Sequence, residues 1–420
     1  MKNRVEVIII FLAFMIVTLV SDGMTAGSHD RNVNIPKKEE AKANIAQGEQ
    51  DKAGEKQSSD TGSSRGKVDV MEELKLYSKA LNAVLEGYVD DVEARQMLYE
   101  AVKGMMSSLD KYSNFIDAKT FEMMKIHMKG EYAGIGTILA RLDGLPAIYE
   151  IQENSPAAKA GLLVKDKILQ VDQTSTQGLE IEKVTLMMRG DAGTKVVLKI
   201  QRDEPKKIFD ITLTREKIEI PAVKEIKMIG KHIGYVHISN WQENTIEQFD
   251  NAFNDLKAKG MQALIIDLRD NGGGLLTSAV DLAERFLNKD KIIVNVKSKV
   301  NVQRKEYIST GEKKLDDYEL LVLINEKSAS ASEIFSAAMQ DNKRGTVIGE
   351  KSYGKASVQS VIPLDDVTGM KLTTAKYFTP AGTAIDGNGV KPDIIVSKKM
   401  DGMKEDMQLM RAIAKLKQFM

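Results

Sequence analysis

The 420-residue chain predicts a multidomain α/β protein, and three observations carry that prediction. From about residue 218 to 400, short aliphatic runs alternate with helix-period segments, the pattern of strands joined through helices. A separate stretch from Val70 to Met105 repeats apolar residues at helical spacing. Between them lie short alternating runs punctuated by glycine, as expected of a small β-rich unit. The length allows two or three domains, and a hydrophobic content of 42% is ample for real cores.

The sixty basic and sixty acidic residues cancel, so bulk charge points to no nucleic-acid partner. Cysteine is absent, which excludes disulfides, thiol catalysis and cysteine-based zinc sites and fits an exported bacterial protein. The four histidines form no H-E-x-x-H and no pair at metal spacing, so neither metal nor cofactor is expected. His237 alternates with apolar neighbours like a sheet residue, which makes a Ser-His-Asp mechanism the poorer reading.

In chain order, Met1 to Arg4 is a short positive start. Val7 to Val20 is apolar except for Thr18, short for a spanning helix and typical of an export signal core. Residues 1–26 therefore read as a signal peptide or an uncleaved signal anchor, placing the rest in the periplasm or on the outer side of the cell membrane. Residues 27–67 contain no aromatic residue and only Val33, Ile35 and Ile45 as large aliphatics, the composition of a disordered linker. Residues 68–128 read as helices, with Val70, Leu74, Tyr77, Leu81, Val84 and Tyr88 on one face and Asp91 as the cap of a second helix.

Residues 129–217 form the β-rich unit. Gly134-Ile135-Gly136 precedes a strand through Thr137 and Ile138, and such glycines let successive N–H groups converge on an anion. A helix over Leu179 to Arg189 places Val184 and Met188 on one face. In the last unit, 218–420, Thr245-x-x-Gln248 reads as a cap for a helix ended by Gly260. Ala263 to Leu268 is a strand running into Arg269-Asp-Asn-Gly-Gly-Gly274, with a helix following. Asp406 to Phe419 closes the chain as an amphipathic helix.

The chemistry concentrates between Asn325 and Gln359. The aliphatic run Leu320 to Ile324 is a buried strand, and a helix starts near Ile334, so Ser330 stands at the strand-to-helix join. The Ala331 amide at that helix start would stabilise an oxyanion beside Ser330. Lys355, Ser357 and Gln359 would share one face of a following strand. A lysine serves as general base only when neutral, which demands burial that lowers its pKa from about 10.4 to roughly 7 or 8. The Gln359 amide oxygen could orient that amine without adding a negative charge.

Each residue also has a plain structural reading. Ser330 with Glu333 fits a capping box, Lys355 a solvated loop, and Gln359 a surface strand. Gly349 to Lys355 fits the phosphate-loop pattern G-x-x-x-x-G-K, yet Ala356 stands where magnesium needs Ser or Thr, and a strand pattern follows.

The run Ser328-Ala-Ser-Ala-Ser-Glu333, then Gln340-Asp341, then Ser352-Tyr-Gly-Lys-Ala-Ser-Val-Gln359 resembles the signature of the carboxyl-terminal processing proteases, also called tail-specific proteases. The resemblance implies Ser330 as nucleophile, Lys355 as base and Gln359 as its orienter. Leu268-Arg-Asp-Asn-Gly-Gly-Gly-Leu275 resembles the element whose glycine amides complete the oxyanion hole, with Gly273 preferred, Gly274 in reserve, and Gly272 where proline is usual. Residues 129–217 are similar to a PDZ domain, a partly open β-barrel with helices, in which Gly134, Ile135, Gly136, Thr137, Ile138, Val184 and Met188 would hold a peptide C-terminus. The rest implies N-terminal helices and a crotonase- or ClpP-like α/β protease core.

The implied activity is that of an exported serine endopeptidase acting on proteins with accessible C-termini, without cofactor, and with an activating or adaptor protein as a further partner. In relatives the region before the PDZ domain, where Lys111 replaces a usual proline, often mediates a homodimer; packing on its own chain is the alternative. Two rival readings are a silent PDZ scaffold on an α/β core and a coenzyme A-binding crotonase-type enzyme.

Overall fold

The computed structural model describes residues 69–299, 304–315, 318–365, 367–397 and 405–419. The expected export segment and linker lie outside them. Among the described residues, no helix is long and apolar enough to cross a membrane.

The first helices are α1 (Val70–Gly87) and α2 (Ala94–Ser107). Asp69 caps α1 by accepting from the Met71 N–H, and no residue of α1 is buried. Asp91 does not cap α2, because the helix begins three residues later and the Glu93 carboxylate takes the Gln96 N–H. Next come strand β1 (Asn114–Ile116) and α3 (Ala118–Lys129), the latter capped by Asp117 and ended by left-handed Gly130.

The β-rich unit comprises β2 (Glu131–Gly134), β3 (Thr137–Leu142), β4 (Leu145–Ile151), α4 (Pro156–Lys159), β5 (Lys167–Val171), β6 (Thr174–Ser175), α5 (Ile181–Met188), β7 (Lys195–Arg202), β8 (Lys207–Thr214) and β9 (Glu216–Glu219). Strands β3-β4-β5-β7-β8 form one sheet with β6 on β5, while β2 pairs separately with β9. Ile148, Ile168, Val196, Leu198 and Ile200 fill its core against Val184 and Met188 of α5. Arg202 grips the buried Asp166 through two bonds of 2.6 Å, a bidentate pair that joins β7 to the turn before β5.

The last unit holds β10 (Val223–Ile229), β11 (Ile233–Ile238), α6 (Thr245–Ala258), β12 (Ala263–Asp267), α7 (Leu276–Glu284), β13 (Ile292–Ser298), β14 (Lys305–Ile308), β15 (Glu319–Ile324), α8 (Ala331–Asp341), β16 (Thr346–Gly349), β17 (Ser357–Pro363), β18 (Gly369–Phe378), β19 (Ile394–Ile395) and α9 (Met407–Leu416). Its main sheet runs β10-β11-β12-β15-β16-β19, parallel except for β10. The side-chain period of two sorts the strands between faces. Leu264, Ile266, Leu320 and Val322 join Phe249, Phe253 and Phe335 under the crossover helices. Ala263, Ile265, Leu321 and Leu323 meet Ala412 and Leu416 of α9 on the other face. Buried on both sides, these strands read as unbroken aliphatic runs.

Asn244, not Thr245, is the N-cap residue of α6. The Thr245 hydroxyl accepts from the Gln242 N–H, and Gln248 spends its amide oxygen on the Ala222 and Val223 N–H groups. A second, antiparallel sheet, β1-β18-β13-β14 with β17 on β18, stands beside α8. It joins β1, which precedes the β-rich unit, to strands from the last third of the chain.

Candidate active site

The aliphatic β15 delivers the chain into a turn that is pinned on all sides. The Ser328 hydroxyl donates to the Leu268 carbonyl at 2.8 Å, the Ala329 N–H to the Asn271 carbonyl at 3.0 Å, and the Asp270 N–H to Asn325 Oδ1 at 2.9 Å. These bonds hold Ser330 fully buried at φ 61°, ψ −114°. A non-glycine residue in that region costs about 1–3 kcal/mol and persists only where its surroundings over-determine it. Ala331 opens α8 immediately after it.

The glycine turn after β12 packs against this serine. A Cβ on Gly273, whose φ is +106°, would lie 2.8 Å from Ser330 Cβ, so the approach requires glycine. The Gly273 N–H donates at 2.9 Å to Oδ1 of the buried Asn271, whose own amide holds the Ile238 carbonyl. The expected oxyanion donor is therefore engaged by Asn271 in this structure. Gly274 makes an isolated parallel bridge to Trp241, whose indole N–H donates to Ser332 Oγ at 2.9 Å and braces the first turn of α8.

Lys355 precedes β17 rather than belonging to it, because Gly354 and the Glu333 carboxylate hold its amide in a loop. A register shift between Val358 and Gln359 further breaks the simple alternation. Its side chain is nonetheless buried, with Nζ 4.9 Å from the centre of the Tyr112 ring. Burial, and then the neighbouring Lys371 ammonium, bring the Lys355 amine down to a pKa of about 8, against an opposing pull from Glu333. Gln359 is also fully buried, and its Nε2 donates to Ser357 Oγ at 2.8 Å and Thr373 Oγ1 at 3.2 Å.

Glu333 ties these parts together. Its Oε2 accepts the Ser330 N–H at 2.7 Å and the Lys355 N–H at 2.9 Å, while Oε1 accepts the Ser352 hydroxyl at 2.5 Å and the Gly354 N–H at 2.7 Å. Burial pushes this carboxyl upward, opposed by the four donors. Glu333 thus fills the capping box at the start of α8 and also holds the loop that leads into Lys355. Tyr377, fully buried on β18, donates to the Lys355 carbonyl and is hydrogen-bonded to Ser330. Tyr377, Tyr112 and Asn271 were not singled out in the sequence as site residues; the aromatic tyrosines carry no local signal, and only Asn271's place beside the glycines hinted at a structural duty.

The β-rich unit has its own groove, a cavity of ≈ 540 Å³ lined by Gly134, Ile135, Gly136, Thr137, Ile138 and Met188 together with Thr185 and Arg189. Val184 is not in the lining; it packs into the core beneath, and Thr185 lines the groove with Met188 instead. Arg189 stacks 4.8 Å from the Tyr132 ring centre, with Nε buried and without a hydrogen-bond partner among the described residues.

The chain thus holds a serine at a strained strand-to-helix join, a buried amine and a grooved β-rich unit, and comparison with known families supplies the class: a PDZ-containing serine peptidase. The peptidase family S41 model matches residues 232–396, the PDZ domain model 148–202, and the model of the activating protease CtpB N-terminal domain 26–120. The carboxy-terminal-processing protease of Bartonella bacilliformis is 35% identical over 332 residues, covering 78% of this chain and 76% of that protein. Carboxy-terminal processing protease CtpB of Bacillus subtilis is 34% identical over 323 residues, 76% and 67% of the two chains. The carboxyl-terminal-processing protease of Picosynechococcus is 32% identical over 338 residues, 78% and 81%. The chain belongs to the carboxy-terminal processing proteases of peptidase family S41 and is a serine-type peptidase.

Proposed function

We propose that this protein is an exported endopeptidase that seats a protein C-terminus in its PDZ groove and cleaves nearby with a Ser330–Lys355 pair. The carrying observation is that one carboxylate oxygen, Glu333 Oε2, accepts from the backbone N–H groups of both residues. Nucleophile and base are thereby fixed to a common point. Ser330 Oγ attacks the peptide carbonyl while its proton passes to the neutral Lys355 amine, which then returns it to the leaving amine. Gln359 orients that amine. The Ala331 N–H and the glycine turn receive the oxyanion, with Gly274 as one donor and Gly273 joining only by leaving Asn271. Export is supported by the apolar run Val7 to Val20, and a homodimer by α1, none of whose residues is buried.

The test is a pH profile on an unfolded protein with an apolar C-terminus, using the chain from residue 68 onward and mass spectrometry of the products. A base works only when deprotonated, so kcat is expected to rise as one ionisation through a pKa of about 8, reaching a plateau above it. A rate that falls between pH 7 and 9 while the protein stays folded would overturn the assignment.

The groove has its own expected result. Ile138 is 54% exposed, so Ile138→Glu leaves folding intact while placing charge where an apolar tail must sit. KM for that substrate should rise about tenfold or more, corresponding to roughly 1.4 kcal/mol, with circular dichroism unchanged. An unaltered KM would place tail recognition elsewhere.

A further inference from the structure

The buried Gln359 amide has two ends, and which end meets the base decides whether it can hold that base. Its oxygen, Oε1, has no hydrogen-bond partner among the described residues, so in this structure it is buried and unpaired and makes no bond to the Lys355 amine. Its nitrogen is committed to Ser357 and Thr373. The reason for this orientation lies almost 250 residues earlier in the chain, roughly the loop length that the antiparallel pairing of β1 with β18 closes.

Asp110 accepts the Tyr112 and Ser113 N–H groups, each at 2.7 Å, and the Ser113 hydroxyl at 2.9 Å. Burial, which raises the Asp110 carboxyl, is outweighed by these donors, and the group stays below its ordinary value. An ionised carboxylate only accepts, so the single Ser113 hydroxyl proton belongs to Asp110. Ser113 Oγ is then an acceptor toward Thr373, taking the Thr373 N–H at 3.1 Å and standing 3.4 Å from Thr373 Oγ1. The Thr373 hydroxyl is also hydrogen-bonded to the Asp110 carboxylate itself, so its proton is directed to the Asp110–Ser113 pair and only lone pairs are left for Gln359. The amide must therefore present its NH₂ to Thr373 and its oxygen the other way.

We propose that the Asp110–Ser113–Thr373 chain fixes the Gln359 amide with its oxygen toward the Lys355 amine, so that all three are positioning residues of the catalytic centre. This rests on the reading of Lys355 as base and Gln359 as its orienter. A carboxylate at the far end sets the polarity of the whole chain, so a distant anion chooses the face that the base meets without placing its own charge beside it.

The experiment compares kcat, KM and the pH dependence of kcat for the parent, Thr373→Val, Thr373→Ser, Ser113→Ala and Gln359→Leu. Facing the Lys355 amine are Lys371 on β18, Glu333 on α8, and Lys111 and Tyr112 before β1, and none of these is changed. Thr373→Val keeps the side-chain shape but leaves the amide free to turn. Its kcat should fall about tenfold, the scale of a modest misplacement of a catalytic group, with KM unchanged. Its rising pH limb should move to lower pH, because an NH₂ turned toward the amine disfavours the ammonium.

Thr373→Ser restores the hydroxyl and should recover parental kcat and limb to within about twofold, and Ser113→Ala, which leaves Asp110 to accept the Thr373 proton, should fall between the parent and Thr373→Val. A loss confined to packing would lower kcat with the limb in place, and would overturn the proposal. So would a Thr373→Val enzyme equal to the parent when Gln359→Leu is impaired. If Gln359→Leu itself equals the parent, the underlying assignment of Gln359 fails and the proposal with it.

Discussion

Lys355→Met is expected to abolish peptide-bond cleavage while making the protein more stable. Removing the base leaves the oxyanion donors and substrate binding, so the residual rate should be about 10⁴-fold or more below the parent. The double change Ser330→Ala with Lys355→Met should cost no more than either alone, because nucleophile and base act as a unit. Stability follows from the same burial that makes the base. The fall of the amine from 10.5 to about 8 corresponds to about 3 kcal/mol, an upper limit on what burying the ammonium costs the fold.

The sign can be checked against pH. Below about pH 8 the lysine is protonated in both folded and unfolded chains, and the cost is present in full. Between there and 10.5 the folded chain has released the proton and the unfolded chain still holds it, so the parent gains stability as pH rises. Urea unfolding should show Lys355→Met about 1–3 kcal/mol more stable at pH 7 and the gap narrowing at pH 10. A variant less stable at pH 7 would mean that the amine is solvated and cannot serve as a base at neutral pH.

Much of this site was legible in the chain because its parts are local. The β15 run, the small residues of the turn and the apolar period of α8 place Ser330 at a strand-to-helix join without any tertiary information. The glycines after β12 likewise announce a tight approach, which the contact between Gly273 and Ser330 makes concrete. What the sequence could not announce depends on partners far away. Tyr112 lies under the Lys355 amine only because β1 pairs with β18. Asn271 captures the Gly273 N–H through a side-chain rotamer, which no spacing rule encodes. Val184 shares a helical face with Met188 and is expected in the groove, but it packs into the core while the neighbouring Thr185 lines the groove. Helical period identifies a face to within about one residue and no closer.

Glu333→Gln is expected to cost both activity and stability, and to do so in a way that separates positioning from packing. Two N–H groups meet Oε2, while one N–H and one hydroxyl meet Oε1. An amide has one oxygen, so whichever way the glutamine turns, its NH₂ faces donors that it cannot satisfy. Each buried donor left unpaired costs about 1–3 kcal/mol, which puts the loss near 2–5 kcal/mol after relaxation of the Ser352 hydroxyl. If the nitrogen faces Ser330 and Lys355, the common point that fixes nucleophile to base is gone, and kcat should fall about 10²-fold from misplacement alone.

Charge supplies the independent mark. Glu333 pulls the Lys355 pKa upward, so its neutralisation should move the rising limb of the residual activity to lower pH. Glu333→Gln that merely loosened the core would lower Tm and the active fraction and leave that limb where it was. The measurement is kcat from pH 6 to 10 beside urea unfolding at pH 7. A variant that keeps kcat within about twofold of the parent and the same limb would show that the serine and lysine are held by the surrounding loops, and that the shared carboxylate is only a cap for α8.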